Sequence, residues 1–356
     1  MKQYAEIREN RFVKFLRNLG RQIRIILREI KLFLAIRYDL CHSKRVKLGK
    51  IHTSNNPKKI IFFTYIEENS VSNYEQVLMR SLFQSGNIPA LLEQGYLIEL
   101  CVYAQESDKL MINKIIDEYQ NNLPEMHKQF FQVNLNGFPS PQIVTFKNAF
   151  FKTMQLCLQS DAYCFMAAAD IFFGNHSINN MVKLTMGRDL CIASLHLKVE
   201  KEHFLKLIHE VSYEVSNNTL VSKALKSAHK NHLTEISIQP VIDHLFSATC
   251  REPIVFLMSF HESDLKYFSK YTFNHWNHAW PALLMKQRRY KVTGSSELFF
   301  AVEMEEGASQ GDHSFNSHQM EDHDRFHVPA SHGLQGEVNG GFCMILQGEE
   351  PFVIHQ

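Results

Sequence analysis

The sequence predicts an α/β domain built on a mostly parallel sheet with helices on both faces. Compact apolar runs alternate along residues 58–200 with amphipathic segments of helical spacing, and this rhythm is typical of strands joined by crossover helices. The apolar runs are nearly continuous, as expected for strands that are buried on both faces. One of them, residues 163–169, ends on a single acid, Asp170, and the pattern then breaks at Gly174.

The elements follow in a regular order from residue 58. Turn-forming residues separate them, for example Gly86 and Pro89. We interpret residues 134–141 as a loop. Four strands are predicted at 58–66, 96–104, 163–169 and 189–197, and four helices at 73–84, 109–121, 146–159 and 178–186.

Charge and composition divide the 356-residue chain into three parts. Residues 1–50 contain fourteen Lys and Arg against four Asp and Glu, whereas the whole chain has a formal net charge of only +1. We therefore predict a basic arm and linker at 1–57, a folded domain at 58–302 and a polar extension rich in His and Gly at 303–356. The seven cysteines form no Cys-x-x-Cys pair, which favours a reducing, cytoplasmic compartment over a disulfide scaffold.

The arm is predicted to be a basic amphipathic helix over residues 6–37. Arg and Lys recur at helical spacing, and isoleucines, leucines and phenylalanines lie between them. No charge-free run reaches the roughly 20 residues of a membrane span, and the pattern is not that of a signal peptide. One interpretation is a helix on an anionic membrane surface, peripheral at the inner membrane; the other is a helix packed on the body or on a second copy. Nucleic acid is not an expected partner, since no base-reading motif accompanies the charge.

The carboxyl ends of the predicted strands are the expected position of a ligand site. Open α/β sheets bind ligands in the crevice outside these ends. Asp170 follows one buried strand, while Thr64, Tyr65 and Glu67 end the first. A capping role for Asp170 near Gly174 is the structural alternative.

Three stretches together resemble GT-A type glycosyltransferases, in particular a bacterial branch of glycosyltransferase-like proteins. They are the first strand with residues 81–108, the segment ending in AAADIFF (167–173), and residues 174–199. The resemblance implies a GT-A-like (Rossmann-like) fold, with a nucleotide-sugar half at 58–200 and an acceptor half at 201–302. It also implies a divalent metal, manganese or magnesium, held by an Asp-x-Asp signature. That signature is degenerate, because Ala168 stands two residues before Asp170.

The resemblance assigns roles on the donor side. Asp170 would be the metal ligand and a catalytic residue. Lys147 and Asn148 lie on the helix that borders the donor pocket in such folds, where they would contact phosphate and base or ribose. Thr64, Tyr65 and Glu67 would contact the nucleotide, with Tyr65 either stacking on the base or filling the sheet edge.

The second half would supply the acceptor side and a carboxylate base. Glu262 and Asp264 are the base candidates, and Glu297 is a rival. Aromatic residues with neighbouring polar groups would bind a sugar acceptor, although such side chains are also common in cores; they are Tyr267, Tyr271, Trp276, Trp280 and the segment 274–278. Five histidines spaced between 313 and 332 either form a solvated tail or supply a metal ligand.

The expected function is transfer of a sugar from a nucleotide-sugar donor to a glycan or lipid-linked acceptor, as in polysaccharide biosynthesis at the cytoplasmic membrane face. The alternative is a catalytically inactive GT-A-like protein that recognises a nucleotide, a glycan or a partner protein.

Overall fold

The computed structural model describes residues 59–67, 70–138, 143–185, 191–194, 196–211, 214–228, 237–242, 245–250, 254–262, 264–265, 290–305 and 342–348. The predicted basic helix at 6–37, the aromatic segment at 267–280 and the histidine run at 313–332 lie outside these residues. Their assignments stay predictions, as does the division into domains.

Thirteen strands and eight helices are present within the described residues. The helices are α1 (71–82, with π-helical hydrogen bonds over Tyr74–Met79), α2 (Ile88–Glu93), α3 (Lys109–Asn121, after a 3₁₀ turn at Glu106–Asp108), α4 (Glu125–Lys128), α5 (Ile143–Ser160), α6 (Ser177–Thr185), α7 (Lys201–His209) and α8 (Asn217–Lys226). The strands are β1 (Lys59–Tyr65), β2 (Leu97–Gln105), β3 (Phe131–Phe138), β4 (Tyr163–Met166), β5 (Ile171–Phe173), β6 (Cys191–Ser194), β7 (His196–Glu200), β8 (Ser237–Ile242), β9 (Leu245–Cys250), β10 (Ile254–Met258), β11 (Tyr290–Val292), β12 (Ala301–Glu305) and β13 (Phe342–Gln347).

Seven of these strands form the central sheet, in the order β11-β6-β10-β4-β1-β2-β3. Strands β1, β2, β3 and β4 pair in parallel, whereas β10 runs antiparallel to both of its neighbours, β4 and β6. The sheet is therefore mostly parallel, and its first four strands follow the order 3-2-1-4 of doubly wound folds. This confirms the predicted α/β class.

Helices cover both faces of the sheet because β1 is apolar on both sides. Ile60 and Phe62 lie in a buried cluster with residues of α1, α2 and α3. Ile61 and Phe63 face the other way, into a cluster with Phe150 of α5. Burial on both faces explains why the strand reads as an unbroken apolar run.

Two smaller sheets accompany the central one. Strands β5, β12 and β7 form the first, and β13, β9 and β8 form the second. Strand β12 spans the boundary predicted at residue 302, and β13 lies within the segment predicted as a polar extension. A third buried cluster joins the first small sheet to α7 and α8 through Phe172, Phe204 and Leu220.

Three local predictions were wrong. Residues 134–141 were interpreted as a loop, but residues up to Phe138 belong to β3, a full partner of β2. The strand predicted at 189–197 is divided between β6 and β7, which lie in different sheets. The strand before Asp170 ends at Met166, so a turn separates it from the acid.

None of the described helices is long and apolar enough to cross a membrane.

Candidate active site at the carboxyl ends of β1 and β4

The order of the central sheet reverses between β1 and β4. The chain moves outward from β1 to β2 and β3 on one side, then crosses to β4 on the other. The pairing continues past the strands, since the amide of Ala167 donates to the carbonyl of Phe63 at 2.9 Å. Ligands of open α/β sheets bind at such a switch point, so the segments after Tyr65 and Met166 define the candidate site.

Asp170 stands at the corner where the chain leaves the central sheet for the first small sheet. A turn closes with the Ile171 amide donating to the Ala168 carbonyl at 3.1 Å. The carbonyl of Asp170 then accepts from the amide of Met304 at 2.9 Å, which extends the β5–β12 pairing. The backbone of this acid is therefore fixed from both sides.

Two further carboxylates affect Asp170. Burial, followed by the charge of Glu303 and then that of Glu67, raises the pKa of Asp170 to about 6. A hydrogen bond from its own backbone and the charge of His196 act in the opposite direction. The charges of Glu67, two residues after β1, and of Glu303 on β12 thus act on one partly buried acid in the turn, and a carboxyl group with its pKa shifted in this way is a candidate for a functional role.

His196 and Lys198 of β7 partly compensate this negative charge. His196 Nε2 lies 2.6 Å from Glu303 Oε2. Lys198 Nζ lies 2.7 Å from Glu305 Oε1 and 3.7 Å from Glu303 Oε1. Because β7 pairs in parallel with β12, the His196 imidazole, the Lys198 ammonium group and the two glutamates form one polar row beside Asp170.

The end of β1 presents Tyr65 to the same edge. Its ring stacks on Phe138 at the end of β3, with centroids 5.1 Å apart and planes 2° apart. Burial and then the neighbouring Glu67 raise the pKa of Tyr65 to about 12, so the phenol keeps its proton at neutral pH and can donate a hydrogen bond. Thr64 is buried beneath it, while Glu67 is exposed.

Fully buried amides hold the segment that follows Asp170. Gln84 donates from Nε2 to the Phe173 carbonyl at 2.8 Å and accepts from the Val215 amide at 2.6 Å. Asn87 donates to the Gly174 carbonyl at 3.2 Å and accepts from the Ile178 amide at 3.1 Å. The network joins the segment between α1 and α2 to β5 and α6, and so fixes the chain just after Asp170.

The other donor-side predictions lie on α5, which begins shortly after the carboxyl end of β3. Asn148 is exposed in the second turn of this helix. Lys147 precedes it, and its side chain is outside the described part of the structure. The helix brings both positions toward the predicted edge, and their ligand contacts stay predictions.

Glu262 and Asp264 follow β10, which runs opposite to β4. Met258 pairs with Cys164 near the start of β4, so the chain enters this turn from the edge opposite Asp170. Asp264 is fully buried, and its Oδ2 accepts from the His261 amide at 2.7 Å, which closes a turn. The fold adds no support for the base role predicted for these two acids. The rival Glu297 is exposed, and its carbonyl accepts from Asn217 Nδ2 at 3.1 Å.

A divalent cation at Asp170, as predicted, would need several further ligands beside this carboxylate. Among the described residues, no group of three or more His, Cys, Asp or Glu side chains is placed to hold a metal ion. These residues alone do not form a complete cation site, so the metal stays a prediction.

Glu303 and His196 were missed by the sequence interpretation. Glu303 was assigned to the polar extension, although it continues an alternating pattern from Phe300 to Glu305 that is typical of a half-buried strand. His196 lay inside a run interpreted as one buried strand. The alternation in β12 was the available signal, and the pairing that brings both residues to Asp170 is a tertiary feature.

No family model matches this chain, and no curated protein matches it. Among solved structures, the chain is similar to the UTP-bound UGPase from Acinetobacter baumannii, with 9% identity over 79% of this chain and 98% of that chain and a TM-score of 0.29. It is also similar to the apo form of mouse xyloside xylosyltransferase 1, with 10% identity over 43% of this chain and 57% of that chain and a TM-score of 0.23. Likeness at these scores carries no argument about function.

Proposed function

We propose that this protein is a glycosyltransferase with a GT-A-like fold. It binds a nucleotide-sugar donor at the carboxyl ends of β1 and β4 and transfers the sugar to a glycan or lipid-linked acceptor. The observation that carries the proposal is the position of Asp170, a partly buried acid under the charges of Glu67 and Glu303, just past the strand at which the strand order reverses. The resemblance of residues 58–200 to such enzymes supports it independently.

The carboxylates at and near Asp170 are suited to accept hydrogen bonds from hydroxyl groups. Ionised carboxylates only accept hydrogen bonds, and an acid near the switch point of a dinucleotide-binding sheet accepts from a ribose hydroxyl. Asp170 and Glu67 would bind ribose or sugar hydroxyls in this way. The neutral phenol of Tyr65 adds a donor at the same edge.

Asp170 is also suited to accept a proton. A general base is most effective when its pKa lies near the working pH, and the pKa of Asp170 is raised to about 6. We assign to this carboxylate the uptake of the acceptor hydroxyl proton, a role predicted earlier for Glu262 and Asp264. The donor phosphates need positive charge, which basic side chains such as Lys147 would supply.

A non-catalytic binding protein is the second candidate. One observation favours it: only one acid of the expected signature remains, and the described residues add no metal-holding group. Such a protein would use the same crevice to bind a nucleotide or a glycan without turnover.

A thermal-shift screen tests the proposal. We expect at least one of the UDP-, GDP- and CMP-sugars, with or without MnCl₂, to raise the unfolding midpoint of the full chain. Donor at about 100 times its dissociation constant adds about 2.7 kcal/mol, which at an unfolding entropy of about 2.1 cal/mol/K per residue corresponds to about 4–5 °C.

The same samples separate the two candidates. Release of free nucleotide, together with a shift, supports the enzyme, whereas a shift without turnover in the presence of glycan acceptors supports the binding protein. No shift with any donor contradicts the enzyme and the nucleotide-binding form of the second candidate.

A further inference from the structure

A groove of about 460 Å³ is lined by residues at the ends of α1 and α3 and at the start of α2. Its apolar wall is formed by Phe83, Pro89, Tyr119 and Leu123. Two exposed carboxylates, Glu118 and Glu214, also line it. The groove therefore combines aromatic surface with negative charge.

The aromatic wall is a fixed part of the fold. Phe83 packs against Tyr119 with ring centroids 5.0 Å apart and against Phe131 with centroids 5.7 Å apart. Phe131 is the first residue of β3, so this contact connects the groove to the start of a central strand. A groove built on packed rings of this kind is present before any occupant arrives.

Strand register places the groove beside the point where the chain enters the domain. Phe131 pairs with Ile98 of β2, and Ile98 pairs with Ile60 of β1. Lys59, where the described chain begins, is therefore about two strand spacings, or roughly 10 Å, from Phe131. The preceding 58 residues reach the domain at the same edge as the groove.

The composition of that preceding segment complements the groove. Residues 6–37 carry basic side chains at helical spacing, with apolar residues such as Phe15, Leu19 and Ile23 between them. Residues 38–58 connect this segment to β1, and 21 residues can span at most about 70 Å. A short tether gives an effective concentration in the millimolar range, so even weak contacts suffice for intramolecular docking.

We propose that residues 6–37 dock in this groove of their own chain, with apolar side chains on the Phe83–Tyr119 wall and basic side chains beside Glu118 and Glu214. Glu214 also accepts from Asn175 Nδ2 at 3.4 Å, so Glu118 is the carboxylate on which the charge complementarity is tested. The groove lining shares no residue with the Asp170 corner, so the inference does not rest on the proposed enzymatic function.

Photo-crosslinking in the full chain tests the docking. Ser85 lines the groove and is exposed, so p-benzoylphenylalanine at this position should form a crosslink to a peptide within residues 6–37 of the same chain. Leu110, 72% exposed at the opposite end of α3, is the control position and should give no link to the arm. Glu118→Lys should lower the Ser85 link about two- to fivefold in 0.15 M salt, as for loss of an exposed ion pair, while Glu202→Lys on α7 should leave it unchanged.

Mass spectrometry and denaturing gels distinguish the other occupants. A link from position 85 to a second copy, which doubles the mass, contradicts intramolecular docking. Absence of any link to residues 6–37, as expected of an arm that binds only an anionic lipid surface, contradicts it as well. An unchanged yield in Glu118→Lys contradicts the proposed charge complementarity.

Discussion

Asp170→Asn should unfold at a higher urea concentration than the wild type at pH 7.5, and the difference should shrink as the pH falls toward 4.5. The pKa of Asp170 is raised from 3.8 to about 6 in the folded protein, so the folded state favours the protonated acid. Ionisation then costs stability, and the cost grows as the pH rises from about 4 to about 6. Below that window Asp170 is neutral in both states, and the asparagine variant has no advantage.

The size of this effect follows from the shift. Two pKa units correspond to about 3 kcal/mol at most. We therefore expect the free energy of unfolding of the variant to exceed that of the wild type by about 1–3 kcal/mol, measured with a chelator so that no bound cation offsets the cost.

Asp161→Asn is the matched control at the other end of β4. Asp161 has a left-handed backbone, with φ of 51°, which asparagine tolerates, so its effect should stay within about 0.5 kcal/mol. Equal stability of Asp170→Asn and wild type at every pH would show that the carboxylate is not held in the desolvated, acidic corner.

Gln84→Ala should destabilise the fold by about 2–5 kcal/mol. The substitution removes the acceptor of the buried Val215 amide and the donor to the Phe173 carbonyl. Each buried group left unsatisfied costs about 1–3 kcal/mol, and the lost side-chain volume adds to this cost. Because total stabilities are about 5–15 kcal/mol, the change should be evident in urea unfolding.

Gln129→Ala is the control for this substitution. Gln129 is exposed and donates to the Met126 carbonyl at 3.1 Å, so its loss should cost less than about 1 kcal/mol. Equal effects at positions 84 and 129 would contradict the role of the buried amides in holding β5 and the segment after it.

The fold class could be predicted from the sequence because β1, β2 and β4 are buried on both faces. Burial on both faces imposes an apolar run that is visible without tertiary information. Strand β3 lies at the edge of the sheet, and its polar positions are accommodated by neighbours: Asn134 Nδ2 donates to Glu99 Oε1 at 3.2 Å. Asparagine and glycine are also typical of turns, which is why this strand was interpreted as a loop.

The candidate site could be predicted only in part. Asp170, Thr64, Tyr65 and Glu67 follow apolar runs directly, so the rule for strand ends was enough to place them at one edge. Glu303 reaches Asp170 through pairing of β12 with β5, more than 100 residues apart in the chain. Pairing between strands so far apart in the chain has no local sequence signal. The reversed direction of β10, which decides where Glu262 and Asp264 lie, has none either.

The most direct test of whether the donor binds at Asp170 is calorimetric titration. The donor identified in the screen is titrated into the wild type, into Asp170→Asn and into Asp161→Asn. A hydrogen bond to a charged group contributes about 1.5–3 kcal/mol, which corresponds to a factor of about 10–100 in the dissociation constant. We predict that Asp170→Asn, although folded and at least as stable as the wild type, binds the donor at least tenfold more weakly, and that Asp161→Asn binds it with wild-type affinity. Wild-type affinity in Asp170→Asn would contradict the assignment.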